Sequence, residues 1–166
     1  ADIGGTNTRV GLSQNSKLMR QSIKKYQNAN VKSLDEILIR YLSEQKLDTV
    51  AGVCVALACP VRNDIAQMTN LSWEITKDSL ARVTGAKTVG LLNDLQAQGY
   101  ALDHLSDDQL LPVFGKRSLG SKETKMVCGI GTGFNACTVI SSANGIMVPA
   151  AEAGHYRLPA ASQQQK

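Results

Sequence analysis

A chain of 166 residues with 43% hydrophobic and 19% charged residues is long enough to bury a core and has a globular composition. No apolar run approaches the ~20 residues of a membrane span and no secretory leader is visible, so no membrane partner is expected. The formal charge of +4 comes from scattered Lys and Arg, with Lys24-Lys25 and Lys116-Arg117 the only basic pairs, and aromatics are 4%, so a nucleic-acid surface is not expected.

The chain opens on Ala1-Asp2-Ile3-Gly4-Gly5-Thr6-Asn7-Thr8-Arg9, an acidic residue on a short apolar run followed by a glycine-rich turn. Val10-Gly11-Leu12 then leads away as a second strand. Adjacent glycines permit positive φ and let the backbone approach a ligand closely. Successive N–H groups in such a turn form a concave anion site. A carboxylate beside a phosphate site calls for a metal ion between them, typically Mg²⁺ with several waters. The stretch therefore predicts a phosphate-binding hairpin with Asp2 on the metal side, although an ordinary hairpin turn fits the same residues. Because the sequence begins inside a strand, further residues are expected before Ala1.

Residues 18–26 read as a third strand near a sheet edge, marked by Lys24 and Lys25. Ser33 with Glu36 three residues on is a capping box, and Leu34, Ile37, Leu38, Tyr41 and Leu42 recur at helical spacing, so a helix is predicted over 34–45. Residues 50–59 are almost continuously apolar, as in a central strand buried on both faces, and Pro60 ends them. A short strand follows over 64–68, and Thr69-Asn70-Leu71-Ser72-Trp73 is loop-like. A helix is predicted over 77–84 between the cap Thr76 and the stop Gly85, and a buried strand over 88–92.

Asn93-Asp94 stands where that strand ends, before a helix over 95–102. Ligand sites of open α/β sheets gather at the carboxyl ends of strands, and a helix N-terminus keeps a carboxylate ionised. Plain N-capping explains Asp94 equally well. Residues 105–123 are a polar connector, which divides the chain into a lobe over 1–112, a connector over 113–124 and the beginning of a second lobe over 125–166. Residues 125–140 repeat the strand–turn–strand plan around Gly131-Thr132-Gly133. A dinucleotide fingerprint is excluded there, because the spacing is Gly-x-Gly-x-Gly and a β-type run follows where a helix should start. After a turn at Gly145, Glu152 and His155 stand three apart among small residues. Such a pair can bind zinc, though no third ligand is near, or can address a hydroxylated ligand. Cys54, Cys59, Cys128 and Cys137 lie in apolar, strand-like surroundings without a Cys-x-x-Cys pair, which predicts buried free thiols in a reducing cytoplasm.

In this order the motifs resemble the amino-terminal part of the bacterial ATP-dependent glucokinase family, within the hexokinase–actin–chaperone ATPase superfamily. The resemblance rests on Asp2-Ile3-Gly4-Gly5-Thr6-Asn7-Thr8-Arg9, on Ala58-Cys59-Pro60 through Met68-Thr69-Asn70-Leu71-Ser72-Trp73, on Leu92-Asn93-Asp94-Leu95, on Gly129-Ile130-Gly131-Thr132-Gly133 and on Glu152-Ala153-Gly154-His155. It runs over nearly the whole chain, and the Met-Thr-Asn-x-x-Trp segment is its most discriminating part. It implies a ribonuclease H-like, actin-like ATPase fold, an α/β mixed sheet flanked by helices, followed by the start of a second lobe. It implies phosphorylation of the 6-hydroxyl of glucose or a related hexose by ATP, with Asp94 as general base. Asn93, Asp94, Glu152 and His155 would hold the sugar. Gly4, Gly5, Thr6 and Asn7 would cradle one part of the ATP phosphates, Gly131, Thr132 and Gly133 another, and Asp2 would position Mg²⁺ through water.

The chain departs from the family in three places. Phe134-Asn135 follows the second glycine turn, where Asn is expected to tolerate left-handed geometry. Ala153 replaces a glycine. The family's second lobe continues further and carries another sugar-contacting glutamate and the adenine pocket, so the chain is expected to be a fragment, inactive alone, with apolar surface that favours association, a homodimer included. Rival readings are a repressor–kinase-family sugar kinase, which usually carries a cysteine-rich zinc motif after the histidine, a non-catalytic sugar-sensing module, and an actin- or chaperone-like ATPase domain. No cysteine occurs in 156–166, and Asp94 with Glu152 and His155 favours sugar phosphorylation.

Overall fold

The computed structural model describes residues 1–68, 71–114, 123–130, 134–143 and 145–151. The strands and helices in chain order are β1 (Asp2–Ile3), β2 (Asn7–Val10), β3 (Ser13–Gln14), β4 (Lys17–Leu18), β5 (Lys24–Gln27), α1 (Leu34–Glu44), β6 (Gly52–Leu57), β7 (Val61–Arg62), β8 (Ile65–Gln67), β9 (Glu74–Thr76), α2 (Lys77–Thr84), β10 (Thr88–Asn93) and α3 (Asp94–Ala101). They are followed by β11 (Lys125–Ile130), β12 (Phe134–Ser142) and β13 (Gly145–Met147). Packing divides the chain into two units, Ala1–Asp94 and Leu95–Lys166.

The first unit is built on a five-stranded sheet in the order β10-β6-β1-β2-β5. β10, β6 and β1 run parallel, whereas β1–β2 and β2–β5 are antiparallel. This is the mixed α/β sheet expected from the sequence. Helix α1 forms as its pattern predicts: the Ser33 hydroxyl accepts from the Glu36 N–H at 3.3 Å, the Glu36 carboxylate accepts from the Lys32 N–H at 2.9 Å, and Leu34, Ile37, Leu38, Tyr41 and Leu42 are buried. Leu34, Ile37, Leu38 and Tyr41 join Ile3, Val55, Leu57 and Leu80 in the core. Helix α2 is capped by Thr76, whose Oγ1 accepts from the Ser79 N–H at 3.1 Å. It stops at Gly85, where φ is 65° and a Cβ would lie 2.6 Å from Thr49 Cγ2, so only glycine fits.

Three expectations need correction. The third strand over 18–26 is interrupted: β4 pairs with β3 in a separate ribbon, a 3-10 turn spans Arg20–Ser22, and only β5 joins the main sheet. The break is held by Ser22, whose Oγ accepts from the Leu12 N–H at 2.7 Å and donates to the Met19 carbonyl at 2.6 Å. The run over 50–59 is not buried on both faces, because the two-residue β1 flanks only the last part of β6; there Val55 and Leu57 are buried while Cys54 is exposed. Cys59 and Cys137 are buried free thiols, but Cys54 and Cys128 face solvent.

A three-stranded antiparallel meander, β7-β8-β9, follows β6 and buries Ala66, Met68, Trp73 and Ile75. Met68 donates its N–H to the Trp73 carbonyl at 3.1 Å, closing the loop between them. Outside the cap of α1, Glu44 ties that helix to β5: it accepts from Lys24 Nζ at 2.8 Å, Arg40 Nε at 2.8 Å and the Tyr26 hydroxyl at 3.0 Å. The Arg40 guanidinium also stacks 5.5 Å above the Tyr26 ring centre.

In the second unit β11, β12 and β13 form an antiparallel sheet. Leu95 of α3 packs with Cys137, Val139 and Val148, and Gln96 Nε2 donates to the Val148 carbonyl at 2.9 Å. The helix comes so close that a Cβ on Gly99 would lie 2.8 Å from Val148 Cγ1. This packing groups α3 with the strands that follow, ahead of the connector expected over 113–124, most of which lies outside the described residues. Met126, Ile130, Phe134 and Met147 are exposed large apolar side chains of this sheet, and Leu111, Val113 and Phe114 are exposed before it. No helix among the described residues is long and apolar enough to cross a membrane.

Candidate functional site

The register of the main sheet brings the sequence-predicted residues of the first unit together. Ile3 pairs with Leu57, and Leu57 pairs with Asn93, so the carboxyl ends of β1, β6 and β10 stand in one row. Directly beyond that row come the Gly4-Gly5-Thr6 turn, Ala58-Cys59-Pro60 and Asp94. One strand, β6, separates the turn from Asp94, a lateral spacing of roughly 10 Å given ~4.8 Å between neighbouring strands. The turn and Asp94 thus flank a common stretch of the sheet's carboxyl edge. That is the edge of the sheet where ligands of open α/β folds collect.

Each side chain owes its place to a local cause. Helix α3 starts at Asp94 with no intervening loop, so the capping position falls on Asn93 and Asp94 occupies the first helical turn. A carboxylate there is favoured by the helix dipole. Asn93 is 2% exposed and, by strand alternation and its pairing, shares a sheet face with Leu57 and Ile3. Its side chain thus sits on the core side while its backbone borders the site.

The opening hairpin is held without help from left-handed geometry at Gly4. Among the described residues a Cβ on Gly4 would meet the Asn7 carbonyl oxygen alone, at an ordinary 3.6 Å, so none of them requires glycine there. What its absent side chain leaves open is the backbone itself, which suits close approach by a phosphate. Gly4 donates its N–H to the Asn7 carbonyl at 3.0 Å. Thr8 is fully buried, and its hydroxyl donates to Asn28 Oδ1 at 2.8 Å. Asn28 Nδ2 donates to the Gly4 carbonyl at 2.8 Å, and the Asn28 N–H donates to the Thr6 carbonyl at 2.9 Å. Sequence reasoning missed Asn28: it lies about twenty positions from the hairpin, and its only local sign is the polar run Gln27-Asn28-Ala29-Asn30, which marks a turn.

Asp2 is exposed on β1 and pairs across the ladder with Arg9, Nη1 to Oδ2 at 3.2 Å. Among the described residues no group of three or more His, Cys, Asp or Glu could hold a metal ion. An exposed single carboxylate beside an open anion turn nevertheless fits Mg²⁺, which is held by one or two carboxylates with water and phosphate oxygens supplying the rest. Arg9 pairs with the same carboxylate across the ladder.

Gly131, Thr132 and Gly133 of the second turn, Glu152 and His155, and Thr69 and Asn70 lie outside the described residues. The strands flanking the second turn are placed: β11 and β12 pair antiparallel with Ile130 opposite Phe134. Asn135, which could tolerate left-handed geometry, is not at positive φ. It lies in β12, and its Nδ2 donates to the Ala151 carbonyl at 3.3 Å, immediately before Glu152.

A family model described as Glucokinase matches residues 1–166. A glucokinase of Colwellia psychrerythraea is 33% identical over 156 residues, which are 93% of this chain and 47% of that protein. One of Photorhabdus laumondii is 32% identical over 165 residues, 99% of this chain and 51% of its own length. The chain spans about half the length of these curated relatives. In structure it is similar to a glucokinase from an Antarctic psychrotroph, with a TM-score of 0.81 at 24% identity, covering 99% of this chain and 52% of that one. A hexokinase of the repressor–kinase (ROK) family from Thermus thermophilus gives a TM-score of 0.62 at 21% identity, covering 92% and 48%. Both likenesses establish the actin-like ATPase fold.

Proposed function

The chain belongs to the glucokinase family, and on that premise we propose that the protein carrying it transfers the γ-phosphoryl group of ATP to the 6-hydroxyl of glucose in the cytoplasm. The observation that supports this most is the shared row of Ile3, Leu57 and Asn93, with a backbone anion turn at one end and Asp94 at the other. Phosphoryl transfer is mainly positioning and charge stabilisation, so backbone donors, one metal and one aimed carboxylate suffice. Asp94 takes the proton of the 6-hydroxyl as its oxygen attacks the γ-phosphorus. Gly4, Gly5, Thr6 and Asn7 hold part of the phosphate chain, with Gly131, Thr132 and Gly133 assigned to another part. Asp2 would hold Mg²⁺ through water, and that ion supplies neutralisation of the β- and γ-phosphate charge. Glu152 and His155 are assigned to orient the sugar, and Asn93, whose side chain is buried, is assigned to border it through its backbone.

A lobe over 1–112, a connector over 113–124 and a second lobe from 125 is the division that goes with this reading. A repressor–kinase-family sugar kinase remains the second reading, supported by the TM-score of 0.62 to a hexokinase of that family. The deciding experiment is calorimetric titration of the full-length protein carrying this chain with glucose, mannose and fructose, followed by glucose-dependent formation of ADP from ATP. Glucose binding coupled to ADP formation supports glucose phosphorylation. Sugar binding without turnover would point to a sensing module, and ATP hydrolysis indifferent to sugar to an actin- or chaperone-like ATPase.

A further inference from the structure

We infer that Asn28 is a positioning residue for the nucleotide, one that aims the donors of the opening hairpin; the inference rests on the proposed phosphate role of that turn. Asn28 is 3% exposed and touches the hairpin at three points. Its Nδ2 donates to the Gly4 carbonyl at 2.8 Å, its backbone N–H donates to the Thr6 carbonyl at 2.9 Å, and its Oδ1 accepts from the Thr8 hydroxyl at 2.8 Å. A trans peptide is planar, with its C=O and N–H pointing in opposite directions. Drawing the Gly4 and Thr6 carbonyls toward Asn28 therefore turns the Gly5 and Asn7 N–H groups to the other side. Two of the three peptide planes between Gly4 and Asn7 are set by one buried residue.

The chemistry of the three contacts makes the amide specific. The side chain must donate at one end and accept at the other, because a carbonyl lies at the first contact and the hydroxyl hydrogen of Thr8 at the second. Asn28 follows directly on β5, whose Tyr26 is anchored through Glu44 to α1, so the clamp is referred to the core and not to a loose loop. Preorganised donors stabilise an anion most when they need not reorient on binding. The ligand class is the phosphate chain of a nucleoside di- or triphosphate.

Asn28→Ala removes both side-chain contacts, Asn28→Asp keeps the Thr8 contact but sets a carboxylate oxygen against the Gly4 carbonyl, and Thr8→Val removes only the Thr8 donor. Kd for ATP and ADP and, separately, for glucose are measured by calorimetry on the full-length protein, together with Tm and the ¹⁵N amide shifts of Gly5 and Asn7 on ADP addition. Expected are nucleotide affinities weakened about tenfold in Asn28→Ala, consistent with the loss of one or two hydrogen bonds. Asn28→Asp should weaken them at least as much and Thr8→Val less, with glucose Kd unchanged and the ADP-induced shifts of Gly5 and Asn7 reduced. If Asn28→Ala and Thr8→Val lower Tm but leave nucleotide Kd at the unmutated value, Asn28 is merely structural and the inference is overturned while the proposed function stands. If the unmutated protein binds neither nucleotide, the proposed function falls and this inference with it.

Discussion

Replacing Asp94 by Asn separates a chemical role from a structural one, because the two carry different magnitudes. Asp94 occupies the first turn of α3. As a charge on a helix N-terminus it contributes about 0.3–1 kcal/mol to stability. As a general base it accounts for about 10²–10⁴ in rate, equivalent to roughly 2.7–5.5 kcal/mol of barrier. The amide keeps the shape and can still hydrogen-bond the sugar hydroxyl, but it cannot take the proton. The assay is steady-state kcat and KM for glucose in the full-length protein, with calorimetric glucose Kd and a denaturant midpoint for each variant. The expected result is kcat lowered by at least two orders of magnitude, glucose Kd nearly unchanged and the midpoint shifted only slightly. Near-normal kcat with a lowered midpoint would refute the reasoning and leave Asp94 a helix-terminal charge.

Glu152→Gln and His155→Ala, assigned to hold hydroxyls, should raise glucose Kd before they lower kcat; a fall in kcat at unchanged glucose Kd would move them into the chemical step. Gly85→Ala should cost at least about 1–2 kcal/mol, since φ is 65° and the new Cβ would lie 2.6 Å from Thr49 Cγ2; a urea midpoint equal to that of the parent would contradict the geometry. Hydrogen bonds from Lys24 and then Arg40 lower the Glu44 carboxyl from 4.5 to about 2. The folded value lies below the unfolded one, so the stabilisation is present above about 4.5 and lost as pH falls toward 2. Glu44→Gln should flatten the stability profile in that window, and an unchanged acid limb would count against the cluster. Tyr26 behaves in the opposite sense: burial first, then its bond to Glu44, raises its hydroxyl from 10.0 to about 12, so its contribution holds below 10 and fades as pH rises toward 12, as Tyr26→Phe should reveal by removing that alkaline loss.

The readable parts of the sequence were those whose cause is local. Ser33 with Glu36 and Thr76 with Gly85 mark their helices over separations of three and nine residues, and the helices stand where those signals put them. The placement of Asp94 at a strand end was legible for the same reason, since β10 is apolar and α3 follows at once. What escaped depends on distant partners. The break between β4 and β5 is made by the Ser22 hydroxyl reaching Leu12, ten residues away. The ribbon of β3 and β4 turns on Asn15 and Ser16, both at positive φ, a pair whose Asn carries a turn signal but whose Ser does not. The hairpin clamp depends on Asn28, twenty residues from Thr8. Apolar runs also concealed which face each strand would bury: Cys54 and Cys128 sit in strand-like stretches yet point outward, because exposure follows alternation and neighbouring strand length and not the composition of the run.

The row formed by Ile3, Leu57 and Asn93 governs how this chain can change length. One residue inserted into β6 or β10 advances everything after it by ~3.3 Å and turns each later side chain to the other face of the sheet. Asp94 would then leave the level of the glycine turn, and Asn93 would exchange its buried face for the opposite one. An insertion over 105–114, outside the main sheet, meets no such lock, and doubling a loop there costs only about 0.6 kcal/mol. Insertions and deletions in homologous chains should therefore collect between α3 and β11, while the spacing from Gly52 to Leu57 and from Thr88 to Asp94 stays invariant in number even where its residues drift.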